Sequence, residues 1–209
     1  MLTLGQTPSI PIVLKVLTII LGMGALFGFP EQSDVPSTVA MVSSRRWPLI
    51  SSYGASGRKR KPDQIIIFRD GVSESQFNQV LIKLLRLASS LTRSGTLKIV
   101  VIVVRKTIIP IFFSRDLLTM CYMVLSLTTS MPSKNNDFYL GTHAGMIGIT
   151  RLTHYHVLLD QAGFSADDLQ EFVYSLSYMY QRSTTAIFFV APICYAHLAA
   201  SQLGTIYED

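Results

Sequence analysis

The chain reads as an α/β protein organised on an open sheet, and three stretches carry that reading. Ile65-Ile66-Ile67-Phe68 is an apolar, largely β-branched run that stops at Arg69-Asp70-Gly71, the pattern of a buried strand ending in a turn. Ser73 through Gln76 then fits the S-x-x-Q capping box, and apolar residues recur at helical spacing from Phe77 to Ala88, so a helix is expected over Glu74 to Leu91. Leu97 to Val104 follows as a second long buried strand. In such folds ligands and metals sit beyond the carboxyl ends of the strands, which makes Asp70 the first candidate functional residue.

The other elements follow in order. Residues 1–16 read as an N-terminal tail, with Pro8 and Pro11. Ile12 to Phe29 is almost wholly apolar and is long enough for a membrane span or signal anchor. Lys15 and the glycines Gly22, Gly24 and Gly28 instead favour a buried strand over Leu17 to Met23. Val35 to Ser43 is the expected second strand, and Trp47-Pro48-Leu49-Ile50 leads into a short third. Arg58-Lys59-Arg60-Lys61 reads as a solvated basic loop or a nuclear localisation signal. Tyr155 to Leu159 is a strand. Ser165 caps a helix running to Tyr180, with Asp167 and Asp168 in its first turn. Ala186 to Ala191 is the last expected strand, and Pro192 precedes a final helix carrying His197.

Length and composition narrow the function. The 209 residues allow one domain with a substantial core, but 49% apolar and only 15% charged residues are greasy for a domain that stands alone. The net charge of +5 suits a polyanionic partner, although basicity alone does not define one. Two cysteines, Cys121 and Cys194, cannot build a disulfide framework and favour a reducing compartment. His154 and His156 alternate on a strand and share a face, yet no cysteine or third histidine stands at metal-ligand spacing, so they read as scaffold. Cys194 near His197 lacks a third orienting group for nucleophilic catalysis.

Three blocks together go further. They are Arg69-Asp70-Gly71-Val72-Ser73-Glu74 with Gln76-Phe77; Asp137-Phe138-Tyr139-Leu140 through His143-Ala144-Gly145 to His154-Tyr155-His156-Val157-Leu158; and Ser175-Leu176-Ser177-Tyr178 through Ala196-His197-Leu198-Ala199-Ala200. In this order they closely resemble the Piwi domain of eukaryotic Argonaute proteins, most of all the plant clade that guides DNA methylation. The resemblance implies an RNase H-like mixed sheet flanked by helices, here incomplete, with residues 17–209 as a partial Piwi domain.

The family's nuclease site resembles two aspartates, a glutamate and a histidine holding two magnesium ions. Asp70 matches the second aspartate and His197 the histidine, which leaves these two as remnants of the catalytic and metal-binding set. The first aspartate is matched by Gly24. The glutamate lies in a helical insertion of the family, for which this chain has a deletion near residue 57. The expectation is therefore a slicer-inactive domain with no bound cofactor, since two hard cations need several anionic oxygens. Guide-phosphate contacts of the family map to Lys106, His143, Arg151, Tyr180 and Arg182, implying weak binding of a small RNA guide and target RNA, in the nucleus or cytoplasm and with silencing-complex proteins.

Residues 107–133 depart from the family. Thr107-Ile108-Ile109-Pro110 stands where it reads Asn-His-His-Thr, and codons for the family's loop read one base ahead permit the residues found. This anomalous segment is expected to be a frameshifted translation, returning to phase at Lys134-Asn135-Asn136, and to be disordered or aggregation-prone. Two alternatives stand beside the silencing reading: the non-functional product of a decayed or mis-assembled gene, and a small membrane-anchored protein.

Overall fold

A computed structural model describes residues 13, 16–26, 38–44, 53–54, 62–91, 97–107, 125–128, 137–141 and 152–206. Its strands are β1 (Thr18–Leu26), β2 (Thr38–Ser44), β3 (Tyr53–Gly54), β4 (Gln64–Asp70), β5 (Lys98–Thr107), β6 (Leu125–Thr128), β7 (Phe138–Gly141) and β8 (Leu152–Asp160). The helices are α1 (Phe77–Leu91), α2 (Ala166–Ser177) and α3 (Ala191–Ile206). The strands form one sheet in the order β3-β2-β1-β4-β5-β8-β7-β6. The β1–β4 and β4–β5 pairs are parallel, and all others are antiparallel, so the sheet is mixed as expected.

The centre of the sheet is buried on both faces, which explains why β4 and β5 read as continuous apolar runs rather than alternating ones. Ile65, Ile67, Ile99 and Val101 face α1, where Val80, Leu81, Leu84 and Leu85 cover them. Ile20, Ile66, Phe68, Val100, Ile102, Val104 and Tyr155 face the other way, into the larger core shared with α2 and α3. Phe172 of α2 lies at its centre, with ring centroids 6.3 Å from Phe68 and 6.0 Å from Phe164.

Several expectations need correction. Ala186 to Ala191 is not a strand. Phe188 accepts a hydrogen bond from the Thr153 hydroxyl, Ile187 N–H donates to Ser177, and the Val190 carbonyl already accepts from Ile193 in the first turn of α3. These bonds bind the segment to β8, α2 and α3, not to a neighbouring strand. Pro192 is the second residue of α3 rather than its predecessor, a first-turn place where a missing N–H costs no helical bond. The capped helix ends at Ser177, three residues short of Tyr180, where the Ser177 hydroxyl turns back to the Tyr174 carbonyl. The helix after β4 opens with a 3-10 turn over Glu74–Gln76, and its expected capping box at Ser73 is present.

The apolar stretch 12–29 supplies β1, held between β2 and β4, rather than a membrane helix. Among the described residues no helix is long and apolar enough to cross a membrane. Val13, in the stretch read as a tail, is buried in the main core. Within the anomalous segment, Leu125–Thr128 is not disordered: it pairs along Phe138–Gly141 as the edge strand β6. The rest of 108–133, the basic run 58–61 and the expected deletion point near residue 57 lie outside the described residues.

Candidate functional site

Asp70 closes β4, and Gly71 takes the left-handed conformation, φ 73°, that ends the strand sharply. The turn brings Gly71 N–H back onto Asp70 Oδ1 at 2.7 Å. From α3, across the core face, His197 Nε2 reaches Asp70 Oδ2 at 2.7 Å. The two sequence-matched residues, 127 residues apart in the chain, are thus in direct contact. Their side chains keep 13% and 26% exposure, so the pair opens to solvent at the rim of the core.

Gly24 lies in the same place. The parallel register pairs Met23 with Arg69, which sets Gly24 level with Asp70 on the adjacent strand. A Cβ built on Gly24 would meet His197 Nδ1 and Cε1 and the Ala196 Cβ, each at 3.4 Å. An acidic side chain in that position would point its carboxylate at the Asp70–His197 pair. In this chain nothing acidic does so from β1.

Magnesium takes near-octahedral oxygen coordination, usually through one or two carboxylates with water and substrate phosphate. Asp70 offers one carboxylate, and both of its oxygens already accept hydrogen bonds. Among the described residues no group of three potential ligands forms around it. These residues do not fit a two-magnesium centre.

The expected nucleic-acid contacts are only partly visible. Tyr180 and Arg182 sit together in the turn after α2, Tyr180 half-buried and Arg182 exposed. The Tyr180 ring meets Tyr195 of α3 edge-on, centroids 5.1 Å apart, and the Tyr195 hydroxyl accepts from Gln181 N–H at 3.0 Å. Tyr195 thereby locks this turn to the helix that carries His197, a role that its place two residues before His197 hints at but does not fix. Lys106 lies in β5, its backbone opposite Thr153. His143 and Arg151 fall outside the described residues.

One cluster escapes a reading of spacing alone. Asp137, His154 and His156 come together with a ligand atom from each within 4.8 Å of the others. Spacing offers no cysteine or third histidine, and the fold supplies a carboxylate from the strand next door.

Comparison with known proteins places this geometry. The family model described as the Piwi domain matches residues 47–208. Protein argonaute 4 of Arabidopsis thaliana is 48% identical over 252 aligned residues, covering 100% of this chain and 27% of that protein. Protein argonaute 4A of Oryza sativa is 47% identical over 248 residues, covering 98% of this chain and again 27% of the relative. The chain therefore spans about a quarter of the length of these relatives. Both alignments run longer than the 209-residue chain, so the relatives carry residues that it lacks. Among solved structures, the C-terminal lobe of a budding yeast Argonaute superposes with a TM-score of 0.74 at 19% identity, covering 92% of this chain and 48% of that one. Drosophila Piwi superposes with a TM-score of 0.71 at 18% identity, covering 90% and 30%. At these identities the superpositions speak to the fold.

Proposed function

The chain belongs to the Piwi-domain family, and from that premise we propose that it is the Piwi portion of an Argonaute-like protein that binds a small RNA guide and its target in gene silencing without cutting the target. The observation that carries this reading is Gly24 standing beside the Asp70–His197 pair where an acid would be needed. Two-metal hydrolysis requires a cage of anionic oxygens to hold both ions, activate water and stabilise the leaving oxygen. One carboxylate and one imidazole leave that cage half built. The family's glutamate is absent with the deletion near residue 57, and relatives longer than this chain over the aligned region support that reading.

Binding makes smaller demands. Phosphate contacts from Tyr180, Arg182, Lys106, His143 and Arg151 need no metal cage and no base readout. The identity to argonaute 4 and 4A supports a link to the plant clade that guides DNA methylation, in the nucleus or cytoplasm, with silencing-complex proteins as further partners.

The test incubates the 209-residue chain with a 5′-phosphorylated guide RNA, a labelled complementary target and magnesium. The expected result is salt-sensitive RNA retention without cleavage. Guide-directed cuts that vanish in Asp70→Asn would overturn the inactive site. RNA retention no stronger than that of a neutral control protein, at any salt concentration, would overturn the binding.

A second reading rests on Thr107-Ile108-Ile109-Pro110, the point where the chain leaves the family's pattern. Residues 107–133 would then be a frameshifted segment in the product of a decayed or mis-assembled gene. The genomic sequence tests it: a region that does not encode the family's loop in the neighbouring frame removes this reading.

A further inference from the structure

The Asp137–His154–His156 cluster takes no part in the site described above. The antiparallel register Phe138↔Tyr155 and Tyr139↔His154 sets Asp137, just ahead of β7, alongside the two histidines of β8. His154 and His156 alternate with Tyr155, whose ring is in the main core, so both imidazoles leave the opposite face of the sheet. Asp70 and His197 are on the core face with α3. The sheet itself separates the two sites.

The three side chains stand close enough together for one ion to reach a donor atom on each. Asp137 Oδ2 lies 3.6 Å from His154 Nε2 and touches His156 Nδ1 directly. Ligand bonds of about 2.0–2.2 Å around a tetrahedral ion set neighbouring donor atoms at close to the first of these separations. Both imidazoles are oriented by rings: Tyr139 stacks on His154 with centroids 4.4 Å apart, and Phe77 of α1 lies on His156 at 4.6 Å.

A second, separate observation points the same way. Asp137 Oδ1 is buried and has no hydrogen-bond partner among the described residues. A histidine–aspartate hydrogen bond accounts for Oδ2 and leaves this oxygen bare, at the usual penalty for a buried unpaired acceptor. A cation shared by the carboxylate and both imidazoles removes that deficit. The side chains keep 14%, 15% and 20% exposure, enough for an ion to enter from solvent.

We propose that Asp137, His154 and His156 bind one divalent transition-metal ion of the zinc class, with water or one further donor completing the coordination. Two imidazoles and one carboxylate select such an ion over magnesium, which takes oxygen donors. The bound ion clamps the start of β7 to β8. The proposal does not rest on RNA binding or on slicer chemistry.

The test uses the full 209-residue chain, stripped with chelator and titrated with zinc chloride by calorimetry, with metal content read after gel filtration. The expected result is one zinc per chain, a raised melting temperature with zinc and none with magnesium. Asp137→Asn and His154→Gln should each weaken zinc binding by about tenfold or more, since even partners outside the ligand set cost that much. Asp70→Asn should leave it unchanged. Cobalt titrated in place of zinc should give the visible absorption of a tetrahedral site in the unaltered protein, a readout that stands even where a variant does not fold. No zinc uptake and no cobalt band in the unaltered chain, or equal uptake by folded Asp137→Asn, would overturn the proposal.

Discussion

Helix α3 crosses β1 at Gly22, and that crossing gives the sharpest test of how the fold holds His197 over Asp70. A Cβ added at Gly22 would lie 2.1 Å from the Pro192 carbonyl oxygen, 2.4 Å from its carbon and 2.8 Å from its Cβ. Two of the three atoms are helix backbone, so no side-chain rotation relieves the overlap. Either the first turn of α3 lifts by an ångström or more, or β1 sinks, and β1 is hydrogen-bonded on both sides. Overpacking of this kind costs about 1–3 kcal/mol, and a backbone obstacle belongs at the upper end. For a domain of this size about 2–3 kcal/mol lowers the melting temperature by roughly 4–12 °C. Gly24→Ala is the control: its Cβ meets its neighbours at 3.4 Å, an ordinary contact, and should change stability by less than about 1 kcal/mol. Urea titration of both variants against the unaltered chain measures the difference. If Gly22→Ala unfolds at the same urea concentration as Gly24→Ala, the close approach of α3 to β1 is not what fixes the helix, and the account of the site built on it fails.

Further predictions follow from single contacts. Gly24→Asp should put a carboxylate beside Asp70 and His197 yet leave the cleavage assay blank, because two carboxylates and a histidine still fall short of a two-ion cage. Tyr155→Phe should be neutral or stabilise by about 1 kcal/mol in urea melts, since the Tyr155 hydroxyl is fully buried without a partner among the described residues, and burial raises its pKa. Phe172→Ala, which empties the ring site between Phe68 and Phe164, should cost about 3–5 kcal/mol and collapse the near-UV circular dichroism signal. Arg105→Ala, which removes an exposed ion pair with Glu74, should cost under about 1 kcal/mol, and less as salt is added.

What the sequence makes legible follows from where the information is local. The bounds of β4 and the cap at Ser165 are readable because a strand buried on both faces and an N-cap each leave their mark on a few adjacent residues. Ala186 to Ala191 misleads for the complementary reason: Ala186 and Val190 are buried, Val190 in the main core, and burial alone imitates a strand. The Asp70–His197 contact is legible only through the family's pattern, because nothing local in either stretch announces the other across 127 residues. Asp137 escapes because its partnership with His154 and His156 depends on the β7–β8 register, which the spacing of one strand cannot show.

The glycine at position 24 also bears on why the Asp70–His197 pair closes as it does. Two carboxylates level with each other on adjacent strands repel unless cations stand between them, and such a site holds its acids apart at a cost to the fold. With a hydrogen atom in place of one acid, Asp70 has no like charge to avoid on β1 and accepts from His197 and from Gly71 N–H at once. A glycine here thus offers no carboxylate to a metal and sets no like charge beside Asp70. If that reasoning holds, Gly24→Asp destabilises the chain without magnesium, by repulsion in a partly buried pocket, and its stability rises as pH falls and one acid of the pair takes up a proton. A Gly24→Asp variant whose stability tracks the unaltered chain at every pH would show that the two positions do not share a field, and that the glycine is a neutral passenger of the strand.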